Sequence, residues 1–101
     1  MKFFFGRDHA PTVMKKFRSD VADRRSGNSG KSDEKACNEA FLSALLALEK
    51  RAQKLGANAV VNIVSYYKKV EMSSSTEFEC HGGLMRVVVI LKGDSVTIAD
   101  K

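Results

Sequence analysis

No apolar run in this chain approaches the roughly 20 residues of a membrane-spanning helix, so it offers no transmembrane segment. The opening MKFFFGRD supplies only three phenylalanines before Gly6, Arg7 and Asp8, short of the roughly 7–15 apolar residues of a secretion signal. Internal repeats and low-complexity tracts are absent, which excludes a solenoid or a disordered tail. Proline occurs once, at Pro11, in the loop RDHAP. Cysteine and histidine occur twice each, with no C-x-x-C and no H-x-x-x-H, so no compact metal-binding motif is present. Acidic residues are scarce in the first third. Residues 1–31 carry eight Lys/Arg against three Asp, while residues 32–101 carry nine of each sign. The whole excess of +5 therefore lies in the N-terminal third.

What is present fits one soluble α+β domain over residues 1–101, with 44% hydrophobic and 29% charged residues. KFFF (2–5) reads as a short buried strand stopped by Gly6. Residues 12–25 are ambiguous. Val13, Phe17 and Val21 recur at helical spacing, yet Phe17, Ser19, Val21 and Asp23 alternate as on a strand. SGNSGKS (26–32) is a connector. A long helix over about 32–55 is the clearest element, with Cys37, Phe41, Ala44, Leu48, Ala52 and Leu55 on one face and Glu39, Lys50 and Lys54 opposite. Ser32 is placed to cap it, Asp33 and Glu34 suit its positive end, and Gly56 stops it. Strands are expected near 58–70, 76–81, 84–92 and 95–98, with MSSS (72–75) and KGD as turns. One helix on a mostly antiparallel sheet follows.

RRSGNSGKSDE (24–34) ends like a phosphate-binding loop. Such a loop requires glycine five positions before Gly30, where this chain has Arg25, so nucleotide hydrolysis is excluded. Lys31, with Arg24 and Arg25, remains a candidate anion contact at the helix start. Cys37 and Cys80 both fall on predicted inward faces, and two readings stay open. A bridge would close a loop of about 43 residues and stabilise by roughly 4 kcal/mol; two buried thiols would pack as small hydrophobes. A metal-binding domain using Cys80, His81 or His9 is an alternative, opposed by the adjacency of Cys80 and His81, which points them to opposite faces of a strand. No glycine-flanked nucleophile frames Ser73, Ser74 and Ser75 near His81. Glu77 and Glu79 share a predicted strand face, where paired acids are usually solvated. No catalytic residue and no cofactor are expected. Tyr66-Tyr67 beside Lys68-Lys69 is a thin stacking patch, so specific nucleic-acid binding is not expected. A polyanion-binding module through the basic N-terminal third is a second alternative.

The run RAQKLGANAVVNI (51–63) resembles the YbjQ-type family of small domains, for which heavy-metal binding has been suggested. In that family a long helix ends in L-G-A-N-A-V-V, matched by Leu55 to Val61, and the loop before it often carries R-S-G, matched by Arg25-Ser26-Gly27. The second half, TEFECHGG onward, resembles exported bacterial proteins of unknown function. A more distant likeness is to the Rcs-pathway outer-membrane stress-sensor lipoprotein, in which cysteines of the helix and late strands are joined by disulfides. The lipobox cysteine and second cysteine pair are missing here, so stress sensing does not carry over. These resemblances imply a Cys37–Cys80 bridge and a strand over 17–25. They also imply a periplasmic or exported domain whose signal peptide is absent from this chain, with a non-enzymatic binding, sensing or assembly role in the cell envelope. The implied partners are a protein or small ligand and, because YbjQ-type domains tend to form rings, further copies of the chain.

Overall fold

Asp33–Leu55 (α1) is the single helix among the described residues, and its limits follow from its ends. The structure is a computed structural model; it describes residues 1–7, 11–27, 30, 32–83 and 85–99. Ser32 is extended, and its hydroxyl accepts the Lys35 N–H at 3.2 Å, satisfying one donor that the first turn leaves open. Gly56 takes a left-handed φ of 83°, and capping N–H groups there reach the carbonyls of Ala52 and Gln53. The buried face is Ala36, Ala40, Ala44, Ala47, Leu48 and Ala52. Cys37, Phe41 and Leu45 pack half-buried against the same core. Alanines let the helix axis lie close to the sheet, so this face is broader than the expected stripe.

Six strands form one sheet: β1 (Lys2–Phe5), β2 (Val13–Gly27), β3 (Ala59–Tyr67), β4 (Val70–Met72), β5 (His81–Gly82) and β6 (Arg86–Ile98). The main order is β1-β3-β6-β2, with β4 paired to β3 and β5 to β6. Only β1 with β3 is parallel. This is the expected α+β architecture. The ambiguous segment is a strand, paired to β6 from Val13↔Ile98 to Gly27↔Arg86. Register shifts between Val13 and Lys15 and between Lys16 and Arg18 break its alternation, so Phe17 and Ala22 face the core while Val21 is exposed.

Four expectations are corrected. Residues 58–70 are not one strand: β3 ends at Tyr67, and the chain turns at Lys68-Lys69 into β4, which pairs back on β3. Residues 84–92 and 95–98 are not two strands about a KGD turn; β6 runs unbroken through Gly93 and Asp94. Residues 76–80 are not a strand, and pairing starts only at His81. Side-chain hydroxyls replace the ladder there: Ser74 Oγ accepts the N–H groups of Thr76 (3.2 Å) and Glu77 (3.0 Å), and Ser65 Oγ accepts that of Glu79 (2.7 Å). KFFF is half-buried rather than buried, because Phe3 and Phe5 pack on the main core and Phe4 on a second cluster.

The main core lies between α1 and the sheet, around Ala22, Leu48, Val60, Ile63, Val87, Val89 and Leu91. The second cluster joins Ala59, Val61, Val96 and Ile98. Alternation along β3 puts Ala59 and Val61 on the face opposite Val60.

Candidate functional site

Cys37 sits in the first turns of α1, held by the Ser32 cap, and Cys80 immediately precedes β5, held by pairing to Val87 and Val88. The two are joined by a disulfide, with Cα atoms 5.9 Å apart and a sequence separation of 43. Both cysteines pack against the main core, beside Phe41 and Phe78. The bridge thus ties the ladderless segment before β5 to the helix.

Next to it is an apolar hollow of about 250 Å³, lined by Phe5, Phe41, Phe78 and the 74–77 backbone turn. Phe41 and Phe78 stack at 4.3 Å between centroids, and Phe5 lies 5.9 Å from Phe41. The polar rim comes from Ser74, Ser75, Thr76 and Glu77. Gly6 makes this closure possible. Its φ is 80°, and a Cβ there would lie 3.2 Å from the Ser74 carbonyl carbon. The next residue locks the loop: the Arg7 N–H donates to Ser73 Oγ at 3.0 Å. Its guanidinium donates twice to Glu71, Nε to Oε1 at 3.0 Å and Nη2 to Oε2 at 2.9 Å. Lys92 reaches the same carboxylate at 3.3 Å. Hydrogen bonding from Arg7, seconded by Lys92, holds the Glu71 carboxyl below its ordinary range against a smaller opposing effect of burial.

The serines near His81 act as backbone caps here. Ser73 accepts from Arg7 and Ser74 from Thr76 and Glu77. His81 stacks on Tyr67 at 3.5 Å and 13°. Its Nε2 is buried without a hydrogen bond among the described residues, 3.9 Å from Glu79 Oε2. Glu79 is therefore placed beside His81, not beside Glu77 on a strand face.

A metal ion fits the described residues poorly. The bridged cysteines offer no thiolate, and no group of three His, Cys, Asp or Glu converges among those residues. Glu79 with His81 is only a pair of ligands. His9 and Lys31 lie outside the described residues. Arg24 donates to the Asp23 carbonyl, and Arg25 lies 3.7 Å from the Asp23 carboxylate. Other cations of the basic third are likewise answered locally: Lys16 by Asp94, Arg18 by Asp20 and Arg7 by Glu71.

One constellation escaped sequence reasoning. Asp94 is 8% exposed; Ser19 Oγ donates to its Oδ1 at 2.5 Å and Asn62 Nδ2 to its Oδ2 at 3.0 Å. Asn62 has φ of 54°, at the register shift of β3 against β6. The available signal was an asparagine interrupting the apolar run AVVNIV, which marks a bulge. No helix of the described residues is long and apolar enough to cross a membrane.

No curated protein and no solved structure matches the chain. One family model, YbjQ_1, described as "Putative heavy-metal-binding", matches residues 8–99. With almost the whole chain covered by that match, this protein belongs to the YbjQ family.

Proposed function

We propose that this chain is a disulfide-stapled, non-enzymatic binding domain of an exported, oxidising compartment of the bacterial cell envelope. The apolar hollow beside the bridge takes a small apolar ligand or a partner's apolar side chain. The Cys37–Cys80 bridge carries the proposal. A bridge of this kind persists where thiols are kept oxidised, and here it fixes residues 73–80, which have no strand partner among the described residues. The non-enzymatic part is supported by Ser73 and Ser74, whose hydroxyls accept from backbone donors. Among the described residues, the family's metal description finds only the Glu79–His81 pair to attach to.

The test is thiol labelling of the protein in the cells that make it, read by intact mass after fractionation. The expected result is an unlabelled, oxidised species in the envelope fraction. Two freely alkylated thiols in native, non-reduced protein would overturn the proposal.

A further inference from the structure

β2 is the last strand of the order β1-β3-β6-β2, and its outer edge carries no strand partner among the described residues. At 15 residues it is a long edge, and a long unpaired edge is a template for another chain. The strand carries Lys15, Lys16, Arg18, Arg24 and Arg25 against Asp20 and Asp23. Pairing β2 with β2 of a second copy would set this positive strand beside itself, whereas an acidic strand is attracted.

The helix supplies a wall above that edge. β2 runs antiparallel beneath α1, as three contacts show: Ser26 to Glu39 at 3.1 Å, Arg51 Nη1 to the Val21 carbonyl at 2.7 Å, and Arg18 and Asp20 sharing a hollow with Lys54. Two hollows follow this cleft. The first, about 620 Å³, is bounded by Arg24 of β2 and by Leu42, Leu46 and Lys50 of α1, with Glu39 and Glu49 balancing its two cations. Leu42 and Leu46 are 57% and 56% exposed, one helical turn apart. The second, about 460 Å³, is lined by Arg18, Asp20, Arg51, Lys54 and Leu55, three cations to one carboxylate. The Asp20 side chain is only 10% exposed. Its Oδ1 meets Arg18 at 3.1 Å, and its Oδ2 is buried with no hydrogen-bond partner among the described residues.

We propose that the cleft between the free edge of β2 and α1 binds an extended peptide as an added strand. The peptide is apolar at alternate positions and bears a carboxylate at the end that meets Arg18, Arg51 and Lys54. Alternation sends every second side chain of an added strand toward the helix wall, where Leu42 and Leu46 are exposed. Backbone bonding to β2 supplies affinity away from the Val21 and Asp23 carbonyls, which already accept from Arg51 and Arg24, and the cationic hollow fixes direction. Asp20 Oδ2 is an acceptor left open for a donor on the incoming chain. The inference rests on the binding role proposed above but is tested apart from it, since failed peptide binding with the bridge intact counts against the cleft alone.

The probe is a fluorescent octapeptide alternating valine and threonine and ending in Asp-Asp. It is compared with one ending in Lys-Lys and with an amidated form that separates side-chain from terminal carboxylate. The acidic probe is expected to bind saturably and to slow amide exchange along β2. Leu46→Glu and Lys54→Glu, both at exposed positions, should each weaken it about tenfold or more, with melting curves confirming the fold. Equal binding of the Lys-Lys probe, no binding up to about 1 mM, or undiminished binding by both variants would overturn the proposal. So would self-association that protects β2 amides without peptide, because a second copy would then be the occupant.

Discussion

A Cβ placed on Gly93 would lie 2.8 Å from Val60 Cγ1, inside the main core and next to Ile63 and Leu48. Gly93 therefore serves close packing of β6 under the helix, not a turn. Gly93→Ala should destabilise the protein by about 1–3 kcal/mol, because a β-branched neighbour cannot swing away as a flexible side chain would. Urea unfolding measures it. Unchanged stability would mean that the core at Val60 has room this packing denies.

The same glycine explains where the sequence was legible and where it was not. The helix ends were readable because capping is local chemistry: Ser32 and Gly56 declare themselves without any tertiary contact. KGD has the composition of a turn, and only the neighbours Val60 and Leu48, thirty or more residues away, make Gly93 a strand residue. TEFEC alternates like a strand, yet hydroxyls of Ser65 and Ser74 and the bridge hold it without a ladder. Cysteine spacing alone left pairing open, since no local signal reports which helix turn faces which strand. Asn62 was visible as a polar break, but its partner Asp94 lies across the sheet.

The β3–β4 hairpin turns on Lys68 and Lys69, with φ of 52° and 63°. A two-residue loop with both φ positive prefers Asn-Gly, and lysine is strained there. Replacing Lys68-Lys69 by Asn-Gly should raise stability by about 1 kcal/mol. Thermal unfolding checks it, and a neutral or lowered melting temperature would contradict the turn geometry.

Glu71 is clasped by Arg7 and Lys92, which depress its carboxyl in the folded chain. A depressed folded value means that the clasp contributes above the unfolded carboxyl range and is lost as pH falls through the folded value. A carboxyl NMR titration should place the Glu71 midpoint below that of an ordinary glutamate, and Arg7→Gln should move it upward. An unmoved midpoint in the variant would remove Arg7 as the cause. Because the pair is exposed, salt should blunt the effect.

Opening the bridge should cost more than either of those changes. It closes 43 residues, for which loop-closure entropy gives about 4 kcal/mol. Cys37→Ala with Cys80→Ala should lose roughly 2–4 kcal/mol, the lower figure reflecting alanine packing in the vacated core. Amide exchange should rise first over residues 73–80, which have no ladder of their own. Uniform loosening of the whole chain instead would show that the bridge acts only on the unfolded state.

Metal uptake should depend on the same two sulfurs. With the bridge closed, the pair Glu79–His81 offers too few ligands for a tetrahedral ion. Stoichiometric zinc binding by oxidised protein is therefore not expected. Reduction by a phosphine frees two thiolates whose Cα atoms start 5.9 Å apart, close enough for two soft ligands to share one ion. One equivalent of cadmium should then bind, seen as a thiolate charge-transfer band that Cys80→Ser abolishes. His81→Ala separates the alternatives. Zinc binding by the oxidised wild-type protein that this variant abolishes would restore a histidine site, while an unchanged cadmium band in the reduced variant would leave the thiols as the ligands.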